Sequence, residues 1–410
     1  MIINFKQISN LRHLCMLSTP AEIKRRLEQN WLEFLKANSA KLSMDSLDGA
    51  SPPSVFVGRY GYPKVRVGPM IPPLHGDTAV YDKSEMWVGK TLEEIANYRL
   101  SLVRGVASLS VGQTEGRYIE QLQELAMSEK PAESEATFEK RPLADTDLAR
   151  ELRLNSEAAP FGPAAPIKTF KTSSLSADQK IETAFYDSDL KAADAVMELY
   201  EKGVEVSRIH RVLSVGMLGM KKNRKLVPTR WSITATDDMI SSRLVKQNEA
   251  NVEITLFEVR QFSHLGNYYS VILIPDSLWS FEMIESWYAG DGKMAVGADF
   301  EDARVLDHYP SIAGAYFAAR LAVAEHLSRR GRKAAALVLR EIHPEYVMPV
   351  GVWQIREGVR EALKKQPANF DALDNALAFA CSTMSQSRAE IARRSQLCRS
   401  LKSQTRITDF

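Results

Sequence analysis

Cysteine is scarce in this chain: there are three in 410 residues, Cys15, Cys381 and Cys398. They are too few and too scattered for a disulfide framework or a four-cysteine zinc site, so a reducing compartment is expected. Long apolar runs are missing as well. No stretch reaches the roughly 18–20 apolar residues that a membrane helix needs. The opening, MIINFKQISNLRHLCML, has no secretory h-region followed by a small-residue cleavage site. Charge of one sign is equally absent, because 53 basic and 51 acidic side chains leave a formal charge of +2. This balance excludes a uniformly basic nucleic-acid coat, and any polyanion site must be a local patch. Neither GxGxxG nor a P-loop occurs, and the histidines (13, 75, 210, 264, 308, 326 and 343) make no H-x-x-x-H or H-E-x-x-H pair. Nucleotide-binding and ATPase readings therefore have little support. What remains, 45% hydrophobic and 25% charged residues, is the composition of a cytoplasmic globular protein of two or three domains, with no membrane partner expected.

The pattern along the chain predicts an α+β fold: a mixed body with an antiparallel hairpin and a helical C-terminal part, ending in a short flexible tail. Residues 20–45 read as a helix, with Thr19 as N-cap, Pro20 at the first position and Ile23, Leu27, Trp31, Phe34 and Leu35 as an apolar stripe. SPPSVFVGRYGYPKVRVGPMIPP (51–73) is rich in Gly and Pro, yet Val55, Val57, Val65 and Val67 alternate as strand residues do. A helix is expected over 91–105. Residues 1–127 are taken as an N-terminal region. Residues 128–176, dominated by Glu, Lys, Pro, Ser and Ala, are expected as a linker or long loop with a short helix near 145–153, or else as an arm laid across a neighbouring domain. From 177 to 399 an α+β body is expected. It has a helix over 178–202 ended by Gly203, and a hairpin of 252–259 and 268–274 around a Gly-Asn turn. Ala-rich helix follows over 312–340, broken near Gly331, then a helix from Val352 to Lys365 and a last one from Phe370 to about Arg399. Residues 400–410 form the tail.

That tail carries the sharpest local signal. In Gln404-Thr405-Arg406-Ile407-Thr408-Asp409-Phe410, an aliphatic residue follows Gln404 by three and an aromatic follows it by three more. A spacing of three is one turn of 3₁₀-helix, so Ile407 and Phe410 would project on one side as a plug, with Gln404 free to bond at a pocket rim. The heptapeptide resembles the motif by which many replication and repair proteins dock on the sliding clamp PCNA, although the second adjacent aromatic of that motif is missing. The competing reading is a charged tail whose last Phe packs on its own domain.

Longer strings extend the resemblance. PPSVFVGRYGYPKVRVGPM (52–70), LVPTRWSITATDD (226–238) and PVGVWQIREGVREAL (349–363) resemble the signature blocks of the archaeal Nre family of DNA repair proteins, in order, across most of the chain. The resemblance implies a DNA repair factor that binds PCNA through its C-terminal peptide, with Gln404, Ile407 and Phe410 as docking residues. Many members of that family carry an N-terminal four-cysteine zinc module. Here only Cys15 and the nearby His13 fall in that region, and no zinc is expected.

DNA contact is expected at basic loops. Arg208 to Arg230 contains Arg208, Arg211, Lys221, Lys222, Arg224, Lys225 and Arg230 with no acid between them, which suits phosphate contact and equally suits a solvated loop. Arg59, Tyr60, Tyr62, Lys64 and Arg66 interleave cations with aromatics, a composition for stacking an unpaired base or for a strained Gly-Pro loop. Further cations at Arg329, Arg330, Arg332 and Lys333 suit a helix C-terminus, and Arg388, Arg393, Arg394 and Arg399 suit a wet helix face. The alternative to a repair factor that only binds is an enzyme, a metal-dependent nuclease or a nucleotide-dependent transferase acting on DNA. Its candidate carboxylates are Asp237 and Asp238, able to face one cation on a turn, and Glu282 and Glu285, able to share a helix face. Glu341, Glu345 and Glu357 are further acids of the same kind, and caps or surface charges are the simpler reading of all of them. A bridging adaptor without DNA affinity is a third possibility. No cofactor is indicated.

Overall fold

A computed structural model describes residues 19–42, 44–142, 162–173, 175–288, 293–303, 306 and 308–403. The first helix, α1 (Pro20–Ala37), starts where its capping sequence requires. The Thr19 hydroxyl accepts from the Glu22 amide, and the Glu22 carboxylate accepts from the Thr19 amide. Leu27, Trp31 and Leu35 are its buried stripe. After α2 (Ser39–Leu42) come β1 (Ser46–Ser51), β2 (Val55–Val57) and β3 (Lys64–Ile71), and the alternating valines 55, 57, 65 and 67 all enter the core. Then follow α3 (Leu92–Leu100), β4 (Val103–Ser110) and α4 (Arg117–Met127).

The described residues of the stretch expected as a linker or long loop are instead part of a sheet. They include β5 (Ala132–Phe138) and β6 (Ala164–Ser173), which lie inside a six-stranded sheet of order β1-β5-β6-β4-β3-β2. Neighbours in this sheet are antiparallel except the parallel pair β4–β6. Ala132, Ser134, Ala136 and Phe138 point inward while Glu133 and Glu135 stay in water, a period-2 pattern that small inward residues make hard to see. The short helix expected near 145–153 lies outside the described residues, as do Cys15, His13 and the 404–410 peptide.

The helix expected over 178–202 is two, α5 (Gln179–Tyr186) and α6 (Ala192–Glu201). The Asp187 side chain takes the amides of Asp189 and Leu190 and turns the chain between them. Then come α7 (Val206–Ser214), α8 (Thr229–Asn248) and β7 (Val252–Glu253), and a hairpin forms from β8 (Phe257–His264) and β9 (Asn267–Ile274), its first strand starting at 257 rather than at the expected 252 because 252–253 pairs elsewhere. Its two-residue turn is Leu265-Gly266, both at positive φ (52° and 69°), rather than Gly-Asn.

The remaining elements are β10 (Phe281–Tyr288), β11 (Met294–Glu301), α9 (Gly314–Arg330), β12 (Arg332–Lys333), β13 (Ala335–Ile342), α10 (Trp353–Lys364), β14 (Ala368–Phe370), α11 (Leu373–Ala380), α12 (Arg388–Arg394) and α13 (Gln396–Ser403). The Ala-rich run after Gly331 is therefore strand β13 and not helix. Gly331 sits in the left-handed region and stops α9, and AALVL is then buried on both sides in a sheet interior, which overrides alanine's helical preference.

The second sheet has the order β11-β10-β13-β9-β8-β14, antiparallel apart from β10–β13. Tyr269, Val271, Leu273, Met283, Ala336 and Val338 face α9 and α10, while Val259, Ile272, Ile284, Leu337 and Leu339 face α11 to α13. The fold is α+β. Helix α8 packs on α6, α7 and α9 and joins the two halves. Among the described residues no helix is long and apolar enough to cross a membrane.

Candidate nucleic-acid interface

The cations and aromatics of two segments far apart in sequence converge at one end of the first sheet. The β2–β3 hairpin turns at Gly61, whose φ is +85° and whose missing Cβ would stand 2.8 Å from the Lys64 carbonyl, so only glycine fits without strain. The tip carries Arg59, Tyr60, Tyr62, Lys64 and Arg66 into solvent. Two bonds through Val111 stitch this tip to the loop before α8: Val111 N–H donates to the Pro63 carbonyl (2.9 Å), and Leu226 N–H donates to the Val111 carbonyl (2.8 Å). The Val57 amide donates to the Thr229 hydroxyl (2.9 Å), which fixes the hairpin against the start of α8. As a result the rings of Tyr62 and Trp231 lie 5.3 Å apart, both exposed.

The basic candidates divide into two groups. Arg224 is a scaffold: its Nε donates to the Gly219 carbonyl (2.7 Å), its Nη2 donates to the Asp187 carbonyl (2.9 Å), and its guanidinium lies 5.1 Å over Phe185. Partial burial pulls its pKa down. Lys221 faces Glu115 at 3.6 Å, an exposed pair worth little. Arg59 lies 5.1 Å over the Tyr60 ring and donates to its hydroxyl (3.3 Å). Lys64, Arg66, Lys222, Lys225 and Arg230 are exposed, with no acid at ion-pair distance among the described residues. Both contributing stretches are free of Asp and Glu, from Gly49 to Gly76 and from Val206 to Thr236. Trp231 was the member that the sequence reading passed over. Its place after Arg230 in the second acid-free stretch was the available signal, but its exposure is set by the helix start.

Arg208 and Arg211 belong elsewhere. Arg208 pairs with Asp178 at 2.6 Å, and Arg211 and Arg99 both converge on Asp82. Of the other cationic cluster, Arg330 holds Glu258 with two bonds (2.6 and 2.8 Å) and Arg329 donates to the Glu325 carbonyl at the end of α9.

The four carboxylates considered for catalysis are not brought together. Asp237 and Asp238 lie on α8 rather than on a turn. Asp237 is fully buried against Arg356 (2.7 Å), and burial pushes its pKa up although Arg356 and Arg360 pull it down. Asp238 bonds Arg320 from the next helical position. Glu282 and Glu285 lie on strand β10, not on a helix, and a three-residue offset sends them to opposite faces of the sheet. Glu282 accepts from the amides of Gln396 and Leu397 (2.9 Å each) and from the Ser395 hydroxyl, so it caps α13 from another element. Glu285 pairs with Arg340. Of the further acids, Glu341 accepts from the amides of Ser385 and Gln386, and Glu357 pairs with Arg360 (2.7 Å). No group of three or more His, Cys, Asp or Glu side chains placed to hold a metal ion occurs among the described residues.

A mixed α+β body with a cationic, aromatic surface is the class of protein that fold and surface define. The chain belongs to the archaeal Nre family: the family's N-terminal part matches residues 26–291 and its C-terminal part matches residues 301–410. It is 40% identical over 337 residues to the DNA repair protein NreB of Archaeoglobus fulgidus, covering 81% of this chain and 83% of that one. It is 35% identical over 354 residues to the DNA repair protein NreA of the same organism, covering 85% and 87%. The DNA repair protein NreA of Haloferax volcanii is 34% identical over 381 residues, covering 89% of each. No solved structure matches the chain.

Proposed function

We propose that this chain is a cytoplasmic DNA repair factor that docks on the sliding clamp PCNA through Gln404, Ile407 and Phe410 and contacts DNA through its cationic surface. The observation that carries the DNA contact is the convergence of two acid-free segments at Tyr62 and Trp231, segments that also carry the exposed Arg59, Lys64, Lys225 and Arg230. Exposed cations without acidic partners bind phosphate by releasing its counterions, and they do so without reading sequence. The relatives' names, which state DNA repair of those proteins, support the same direction. Clamp docking rests on the spacing of Gln404, Ile407 and Phe410 and on the family to which the chain belongs.

The two contacts reinforce each other. A short plug peptide binds at roughly micromolar strength, and a clamp already on DNA would supply a high effective concentration of DNA to a tethered body. The enzyme alternative draws no support from its four carboxylates, each held by an arginine or by backbone amides. The test of docking is calorimetric titration of the full chain into PCNA, beside a truncation lacking Gln404 to Phe410 and the variant Phe410→Ala. Loss of binding in both, with unchanged thermal melting, is expected. Undiminished binding by Phe410→Ala would refute the docking.

A further inference from the structure

The surface at the hairpin tip exposes more aromatic area than phosphate contact needs. Tyr60, Tyr62 and Trp231 are 81%, 51% and 45% exposed. Tyr and Trp rings exposed together, as Tyr62 and Trp231 are, mark an interaction surface more than singly scattered rings do. We infer that this surface receives an unpaired segment of nucleic acid rather than a duplex, its bases stacking on Tyr60, Tyr62 and Trp231 and its phosphates meeting Lys64, Arg66, Lys225 and Arg230. The inference rests on the proposed DNA contact and specifies its substrate. In a duplex the π faces of the bases are already covered by their neighbours. An unpaired strand offers them freely, and every base has one, so such a platform works without sequence preference.

The charge pattern selects the same partner. The absence of Asp and Glu from 49–76 and from 206–236 leaves nothing on these two segments to repel a phosphate chain or to attract a basic peptide. Arg59 over the Tyr60 ring at 5.1 Å joins charge and stacking surface in one place. The tip is also held in position beforehand, by the Val111 bonds and by the Thr229 hydroxyl, so little ordering is lost on binding. An anionic membrane surface would accept the same residue types and is the competing occupant.

The experiment uses the full chain and fluorescence anisotropy with a labelled oligothymidylate of roughly 15 nucleotides and the matching duplex. The single strand should bind at least about tenfold more tightly. Trp231→Ala and Tyr62→Ala should each weaken it roughly five- to hundredfold, as loss of one stacked base does, whereas Trp231→Phe keeps a ring and most of the binding. Both side chains are exposed, so the variants should melt like the parent, which circular dichroism checks. Equal affinity for strand and duplex would overturn the inference while sparing the DNA contact, as would losses confined to Lys225→Glu and Arg230→Glu with Trp231→Ala unaffected. Binding to neither DNA would overturn the contact itself. Sedimentation with vesicles of phosphatidylserine and phosphatidylcholine in the absence of DNA affinity would assign the surface to membranes. PCNA titration does not use these residues and stands or falls separately.

Discussion

Replacing Arg356 by alanine tests whether Asp237 belongs to structure or to chemistry. The guanidinium is one of the largest fully buried side chains in the protein, and it donates to Asp237 Oδ1 at 2.7 Å inside a layer of charges that includes Glu85, Glu357 and Arg360. Truncation leaves the Asp237 carboxylate buried without its counter-ion, which costs about 3–5 kcal/mol. At about 2.1 cal/mol/K of unfolding entropy per residue, a chain of 410 residues melting as one unit should lose about 4–6 °C. The deficit should also depend on pH. Burial already holds the Asp237 pKa above its ordinary value, and Arg356 is the strongest influence pulling it back, so its removal raises the pKa further. A carboxyl raised in the folded state contributes stability below its unfolded pKa and loses it as pH rises through the folded one. Arg356→Ala should therefore be nearer the parent at pH 5 than at pH 8, in thermal melts followed by circular dichroism. Among the described residues Asp237 Oδ2 and Arg356 Nε have no hydrogen-bond partner, so the pair is imperfectly satisfied. The apolar double replacement Asp237→Leu with Arg356→Met should recover most of the loss. A melt within a degree of the parent at both pH values would refute this reasoning. So would Asp237→Asn abolishing a DNA-processing activity without moving the melt.

Other outcomes follow from the same contacts. Glu282→Ala removes the distant cap of α13 and leaves the amides of Gln396 and Leu397 unpaired, which should destabilise by about 1–3 kcal/mol and speed hydrogen exchange in 396–403; unchanged exchange there would count against the cap. His326 is pulled down to about 4, first by burial and then by Arg260, Arg330 and Arg329. A histidine depressed in the folded state loses stability as pH falls from its ordinary 6.5 toward 4, so His326→Gln should flatten that limb of a urea-denaturation series, and an unaltered limb would refute it. Charge reversal at Lys222, Lys225 and Arg230 should weaken DNA binding and reduce the slope of log K against log salt by about 2–3. An unchanged slope would mean that these side chains are only solvated.

Local signals survived the passage from sequence to structure where they depend on near neighbours. The capping box at Thr19 and Glu22, the alternating valines of β2 and β3, and the helix 353–364 are set by contacts a few residues away, and all were legible. The strands β5 and β13 were not. β5 alternates small residues with glutamates, and β13 is an alanine-rich run with helical preference; each becomes a strand only because neighbouring strands pair with it on both sides. The same division runs through the candidate site. The acid-free basic stretches and the aromatic hairpin tip could be read in the letters of the chain. Their adjacency, through Val111, Thr229 and the Tyr62–Trp231 contact, could not, because it joins residues about 170 positions apart. Nor could the letters separate Arg224, which stacks on Phe185 and braces the loop, from Lys225 beside it, which stands in water. Sequence by itself determined the α+β class, the near-zero net charge with basic islands, and the Gln404–Phe410 spacing. Tertiary structure alone decided which cations are free and which carboxylates are committed to arginines and helix ends, because a charge's role depends on the partners that folding places within a few ångströms of it.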